Sequence, residues 1–381
     1  MRAYRLRRLI VSKWRRSTRW EFWPPWAFYP PVIAYIGALM VKHRSATLFT
    51  AVNPAIPASG FIGESKFDIL QGLAGAGDAV ARSVFLASSL TTAEKRRRVE
   101  QVMAAHRLTF PIVLKPDQGQ RGSGVVIVRS ATELDARLRE TSVDTIAQEY
   151  VGGEEFGVFY YRHPADARGC IFSVTEKKFP TVVGDGCRTL EQLILDDDRA
   201  VCAAKLHCDR HRERLSTVPA AAEKVSLVEL GSHCRGAMFL DGSWVVTPAL
   251  EARFDAIAKT FDGFYFGRFD VRVDGGIEEF REGRGFKIVE LNGVTSEATH
   301  IYHPGTPLLE AYRVLMEQWR IAFEIGAENR RRGVATTPLR TLFRLMRGYA
   351  QTARLHMAHN GATLVRCEDV PASTNVAYFP G

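Results

Sequence analysis

Apolar and polar side chains alternate with period two in two runs in the last third of the chain, residues 267–273 and 286–292, and each run predicts a strand. Asp274-Gly275-Gly276 closes the first and Gly283-Arg284-Gly285 leads into the second, so a Gly-rich turn joins them and Asp270 comes near Glu290 and Asn292 across a sheet. The same pattern predicts shorter strands over 83–86, 110–116, 125–128, 145–151, 156–162 and 171–174, and a short strand running into a loop over 47–54. Helical spacing predicts a helix over 248–261, with Leu250, Phe254, Ile257, Ala258 and Phe261 on its core face, another over 307–327, and a basic amphipathic helix over 339–359. Thr91 with Glu94 and Thr189 with Gln192 are capping boxes that open two more, and Thr132 with Asp135 starts a helix to about residue 140. A charged helix is expected over 199–215.

The 381 residues, 46% of them hydrophobic, suffice for two or three packed subdomains. Net charge is +9, but the first nineteen residues hold eight Arg/Lys and no acid, and residues 330–381 hold eight Arg against Glu368 and Asp369. The middle is therefore slightly acidic. Basic ends suit nucleic acid or anionic lipid, yet nothing between them resembles a nucleic-acid motif, and no nucleic-acid partner is expected. Residues 20–31 are dense in aromatics and proline, and an apolar run of ten follows over 32–41. A membrane-crossing helix needs about 20 apolar residues, so this run is too short. Aromatic rings beside basic residues suit the surface of an anionic membrane; the alternative is that they pack on the main domain. The six cysteines show no CxxC pair and no zinc spacing, which predicts free thiols in a reducing compartment. A cytoplasmic location follows, with the inner membrane surface as the peripheral alternative.

Candidate chemistry begins at the two central strands. Glu290 and Asn292 are two apart and share a face; with Asp270 they offer three oxygen ligands, a set that suits Mg²⁺, with Mn²⁺ as the alternative. The ordinary reading is carboxylates at strand ends. Residues 110–128 form strand, Gly-rich loop and strand, with Lys115 and Arg121 adding positive charge where glycine amides can approach phosphate. It is not a Walker loop, because the GxxxxGK[ST] order is absent and a strand follows. His207, Cys208 and His211 read as polar helix residues sooner than as a metal site, Asp196, Asp197 and Asp198 as a solvated helix end, and Lys177 and Lys178 as a solvated edge, with binding of a substrate carboxylate as the alternative.

Three segments, in order, carry a resemblance: residues 110–124, then Gln148-Glu149-Tyr150-Val151-Gly152-Gly153-Glu154-Glu155-Phe156, then Arg268-x-Asp270 followed by Glu290-x-Asn292. Over roughly residues 64–327 the chain resembles the ATP-grasp superfamily, and within it D-alanine–D-alanine ligase and related carboxylate–amine ligases. The resemblance implies an α+β fold in which two α+β subdomains clasp ATP between antiparallel sheets. It implies a basic and aromatic segment at 1–60, an ATP-grasp domain at 61–327 (nucleotide-binding parts 61–147 and 148–220, metal and substrate part 221–327), and a linker with a basic helix at 328–381. ATP and Mg²⁺ are the implied cofactors. Lys115 would contact the ATP phosphates, with Gly122 and Ser123 in the loop above them and Lys66 as an earlier ATP-contacting lysine. Gln148, Glu149 and Val151 would form the adenine hinge, and Glu155 would bind the ribose hydroxyls. Asp270, Glu290 and Asn292 would hold the metal, and Arg268 would stabilise a tetrahedral intermediate. Arg235, Ser296 and Glu297 are expected on the substrate side, with His233, His300 and His303 as further pocket candidates. The turn at 183–190 resembles one in cyanophycin synthetase and glutathione-forming ligases, which favours an amino-acid or peptide-like substrate.

Two departures change the expectation. The usual N-terminal substrate domain is short or missing, its place taken by the aromatic segment. The loop after Asn292 reads Gly293-Val294-Thr295-Ser296-Glu297 instead of the Thr/Ser-Pro-Gly run of the D-alanine ligases. The expected partners are therefore a small-molecule carboxylate and an amine, not D-alanine itself, with anionic membrane contact and a homodimer as further expectations. The expected activity is ATP-dependent carboxylate–amine ligation through an acylphosphate; the alternatives are a small-molecule phosphotransferase and an ATP-binding, membrane-associated module without turnover.

Overall fold

The computed structural model describes residues 2–119, 124–228 and 237–359. Its elements, in chain order, are α1 (Arg2–Thr18), α2 (Pro25–Phe28), α3 (Pro30–Lys42), α4 (Lys66–Gly72), β1 (Ser83–Leu86), α5 (Thr92–Ala105), β2 (Ile112–Pro116), β3 (Val126–Val128), α6 (Ala131–Glu140), β4 (Thr145–Glu149), β5 (Glu154–Tyr161), β6 (Cys170–Lys178), β7 (Thr181–Val183), α7 (Leu190–Asp196), α8 (Ala204–Arg210), β8 (Lys224–Ser226), β9 (Met238–Asp241), α9 (Pro248–Thr260), β10 (Phe266–Val273), α10 (Ile277–Arg281), β11 (Phe286–Asn292), α11 (Leu308–Arg331) and α12 (Leu339–His359). They build a four-stranded sheet ordered β1-β4-β2-β3, a five-stranded sheet ordered β11-β10-β5-β6-β9 and a small β7-β8 pair, all antiparallel. This is the α+β arrangement that the ATP-grasp resemblance implies, with an antiparallel sheet in each of two parts.

Period-two alternation gives the five-stranded sheet two unlike faces. Phe156, Val158 and Tyr160 of β5, Phe269 and Val271 of β10 and Ile288 of β11 pack with Leu250, Phe254, Ile257 and Ala258 of α9. The intervening positions, Glu155, Lys177, Arg268, Asp270 and Arg272, point to the other side. The smaller sheet buries Leu86, Ile112, Leu114 and Ala147 against Val99 of α5 and Leu134 and Leu138 of α6.

Both capping boxes are present, at Thr91/Glu94 and Thr189/Gln192. The helix expected from Thr132 starts two residues earlier, because Ser130 accepts the Glu133 N–H at 3.2 Å. The strand expected over 47–54 is instead a 3₁₀ turn, Leu48–Ala51, pressed on α11. Asn329 donates to the Ala51 and Val52 carbonyls at 2.9 and 3.1 Å, which satisfies backbone that would otherwise need a strand partner. The charged helix expected over 199–215 breaks into pieces. Asp197 Oδ1 accepts from the N–H groups of Arg199 and Ala200 at 2.9 and 2.6 Å, so the chain restarts there.

The aromatic-proline stretch sends Trp20, Phe22 and Phe28 into the core. Trp20 stacks on Phe28 with centroids 5.0 Å apart, and Phe28 stacks on Tyr312 of α11 at 5.3 Å. Trp20, Phe28, Val32 and Leu39 belong to the same buried cluster as Tyr302, Leu315 and Phe323. Of the two readings of this stretch, packing on the main domain holds for Trp20, Phe22 and Phe28, whose rings find apolar partners inside, whereas Trp26 is left mostly exposed. No helix among the described residues is long and apolar enough to cross a membrane.

Candidate active site

The site forms on the polar face of the five-stranded sheet. Strand register sets Asp270 opposite Glu290 and Arg268 opposite Asn292, so all four share a face. The ladder slips between Asp270 and Val271, whose partners are Glu290 and Ile288, and Val289 is the extra residue. Its carbonyl is thereby free to accept from Lys115 Nζ at 2.9 Å and Gln148 Nε2 at 3.2 Å. Lys115 lies on β2 and Gln148 on β4, so this bulge is where the two sheets meet.

A charge network covers the centre of that face. Arg268 holds Asp270 through Nε at 2.9 Å and Nη2 at 3.3 Å, and Lys177 Nζ lies 3.2 Å from Asp270 and 2.7 Å from Glu155. Arg272 closes the row on the second oxygen of Glu155 at 2.9 Å. Burial by itself would lower Lys177 and raise Asp270. The neighbouring charges outweigh it, leaving Lys177 above the usual lysine range and Asp270 well below the usual carboxylate range. Gly157 opposes Asp270 on β5, and a Cβ there would meet Arg268 Cδ at 3.1 Å, so its bare backbone makes room for the guanidinium.

The smaller sheet contributes cations and a hinge. Lys115 is buried, and desolvation lowers it to about 8 although Glu290 pulls the other way. Lys66, at the start of α4, lies 4.0 Å from Glu290 and donates to the Gly119 carbonyl at the base of the Gly-rich loop. Asp117 anchors that start, accepting from Ser65 Oγ at 3.0 Å and the Phe67 N–H at 2.9 Å. Glu149 pairs with Lys287 and accepts from the Arg82 N–H at 3.0 Å, while its own N–H donates to the Arg82 carbonyl.

The structure thus brings together Lys66, Lys115, Gln148, Asp270, Glu290, Asn292 and Arg268. Gly122, Ser123 and Arg235 lie outside the described residues, as does His233. Four expectations change. Glu297 does not face a substrate: it is 4% exposed, and its two oxygens accept from Tyr29 at 2.8 Å and Tyr302 at 3.0 Å. Burial raises it to about 7. Its carbonyl accepts from Arg268 Nη1 at 3.0 Å, so it braces the site from behind. Ser296 is buried and turns back on the Gly293 carbonyl at 2.6 Å. Glu155 has both oxygens committed to Lys177 and Arg272, so a ribose contact needs one of those bonds exchanged. Lys177, read as a solvated edge residue, is 5% exposed and central, whereas Lys178 fits that reading, pairing at the edge with Glu154 and Glu176. Alternation along β6 is the signal that separates the two lysines, since only every second residue faces the network. His303 accepts from the Asp241 N–H through Nδ1 at 3.0 Å, and His300 is half-buried.

The donor chemistry fits a hard divalent cation. Asp270, Glu290 and Asn292 offer carboxylate and amide oxygens on one face, beside Lys66 and Lys115 where phosphate charge would be neutralised. Asn292 directs Nδ2 at Asp270 Oδ2 at 3.4 Å, so its amide must turn over to offer oxygen to a metal. Among the described residues no group of three or more His, Cys, Asp or Glu side chains is placed to hold a metal. Cys170, Cys187, Cys202 and Cys208 are free thiols.

No protein-family model matches the chain, and no curated protein matches it. Solved structures similar to it include a bifunctional glutathione synthetase from Pasteurella multocida, with 16% identity and a TM-score of 0.35, covering 60% of this chain and 32% of that one. A D-alanine–D-alanine ligase from Bacillus anthracis has 15% identity and a TM-score of 0.37, covering 71% and 68%. The VanG D-Ala:D-Ser ligase from Enterococcus faecalis has 16% identity and a TM-score of 0.36, covering 67% and 61%. The chain spans about a third of the length of the first of these. At such scores the functional argument is carried by the chain's own residues. On those residues and on its paired antiparallel sheets, the chain resembles the ATP-grasp superfamily.

Proposed function

We propose that this chain is an ATP-dependent ligase that joins a carboxylate to an amine, on an amino-acid or peptide-like substrate, through an acylphosphate. The observation that carries the reading is the meeting at the Val289 bulge: Lys115 of one sheet reaches the strand that bears Glu290, opposite Asp270 and next to Arg268.

A carboxylate resists attack by an amine because an oxide is a very poor leaving group. In the proposed reaction the substrate carboxylate takes the γ-phosphoryl group of ATP, releasing ADP. The amine nitrogen then attacks the acyl carbon, inorganic phosphate leaves, and the nitrogen gives up its proton. Lys115 and Lys66 would bind the phosphates as buried and half-buried cations, where charge interactions are stronger than in water. The backbone around Glu149 to Val151 would read the adenine edge. Asp270, Glu290 and Asn292 would hold Mg²⁺, or Mn²⁺ in its place, which when bound neutralises phosphate charge and orients the transferred group. Arg268, fixed by Asp270 and the Glu297 carbonyl, would stabilise the tetrahedral oxyanion.

The test is release of ADP and phosphate by the full chain with Mg²⁺-ATP and pooled amino acids and small carboxylates, beside a Glu290→Gln control. Equal ADP and phosphate that depend on the pool and vanish in the control support ligation. ADP without phosphate would move the site to phosphoryl transfer, and bound ATP with no ADP would make the chain a binding module.

A further inference from the structure

α1 has two working faces. Its inner face, Tyr4, Arg8, Val11, Ser12 and Arg15, lies against α7 and the turn after it. Arg8 Nε donates to the Leu195 carbonyl at 2.7 Å, Arg15 pairs with Asp198 at 2.7 Å, and Tyr4 bonds Asp196. Its outer face carries Leu6, Ile10 and Trp14 at four-residue steps, and all three are exposed, at 62, 60 and 65%. Helical spacing sets exposed Arg7 and Lys13 on the two sides of that stripe.

α3 repeats the feature without charge. Val32 and Leu39 enter the core, whereas Ile33, Ala34, Ala38 and Val41 are exposed. A helix at the surface of a water-soluble domain ordinarily turns polar residues outward; α3 has no charged residue before Lys42. Trp26, between the two helices in sequence, is 79% exposed. Single exposed apolar side chains are ordinary, but a stripe on each of two neighbouring long helices in the first 42 residues is not.

We propose that the outward faces of α1 and α3 dock on an anionic lipid surface. Charge selects this occupant. Residues 1–44 hold ten Arg/Lys and one acid, Glu21, which is buried near Arg199. A second copy of the chain on these faces would bring two strongly basic segments together, whereas anionic headgroups complement the basic flanks and accept the apolar stripes. Because no described helix is both long and apolar enough to cross, the contact is interfacial, with Trp14 and Trp26 at headgroup depth. The buried rings of the 20–31 stretch hold the two helices to the main body and stay out of the lipid. This proposal does not depend on the ligase reading.

The experiment is flotation of the full chain with vesicles of phosphatidylcholine alone, or with about 30% phosphatidylglycerol added. The expected result is at least about tenfold tighter binding to the anionic vesicles, weakening as salt rises. A Leu6→Ser, Ile10→Ser, Trp14→Ser variant should lose most of that binding at unchanged melting temperature, since these side chains face solvent, and Val41→Glu should act in the same direction. Equal binding to both vesicles, or to neither, would overturn the proposal. So would a dimer in sedimentation velocity that the triple variant dissolves, because the faces would then serve a second copy.

Discussion

Arg268 and Arg15 are both arginines paired with aspartate, yet they belong to regions that use charge in opposite ways. Arg268 sits in a row of alternating charges on the central sheet face, with Asp270, Lys177, Glu155 and Arg272, nearly all of it out of water. Arg15 holds α1 to an acidic helix end at the surface, where Asp198 is 72% exposed. Burying ions is expensive, so the inner row survives only because strand register presents each charge with an opposite neighbour at a fixed distance. The outer pairs need no such precision, and water screens them. Composition counts the two sets alike; the difference is one of solvation and of how rigidly the backbone delivers the partner.

The contrast can be broken most severely at Lys177. Lys177→Met leaves Glu155 and Asp270 with one cation fewer in a buried site, and we expect a loss of about 3–5 kcal/mol in urea unfolding. The next effect is catalytic. Glu290 is 32% exposed in its side chain, so Glu290→Gln should leave the melting temperature nearly unchanged while lowering ligation by about 10²–10³, read as ADP release.

Glu297 tests the buried region by pH. Its carboxyl is raised to about 7 from 4.5 by burial, against the pull of the two tyrosine hydroxyls and Arg268. The folded state then binds a proton that the unfolded state has released, so stability should fall as pH rises from about 4.5 to 7 and level off above that. Glu297→Gln should remove that slope and be more stable by roughly 2–3 kcal/mol at pH 8, measured by denaturant titration. Lys115, lowered to about 8, should lose its charge above that pH. ATP affinity by calorimetry should weaken up to about tenfold per pH unit there, and Lys115→Arg should flatten the profile. The smallest effect belongs to the outer region: Arg15→Ala should cost about 1 kcal/mol or less, and added salt should mask it.

Much of the site was legible in advance because a strand has a strict period. Glu290 and Asn292 could be set on one face from their spacing alone, and α9 could be oriented from its apolar positions; the register that puts Asp270 opposite Glu290 came from the paired strands. Capping boxes announced α5 and α7 because an N-cap is satisfied within a few residues. The failures share a cause. Glu297 was expected at a substrate because an acid in a loop usually meets water or ligand; nothing near it in sequence reveals Tyr29, 268 positions away, bonded to its carboxyl. Lys177 and Lys178 are neighbours of one kind, and only the pairing of β6 with β5 shows which one faces Glu155.

By itself, the sequence determined what local physics can settle: which runs are strands or helices, where two helices start, which residue types crowd one face, and that the charge sits at the ends. Tertiary structure decided what depends on distant partners. It placed Trp20, Phe22 and Phe28 of the aromatic stretch in the core, turned Ser296 and Glu297 away from the face, and used the bulge at Val289 to bring Lys115 and Gln148 across from the other sheet. Those outcomes rest on burial and on hydrogen bonds between residues far apart in the chain, and neither is encoded in the spacing of neighbours.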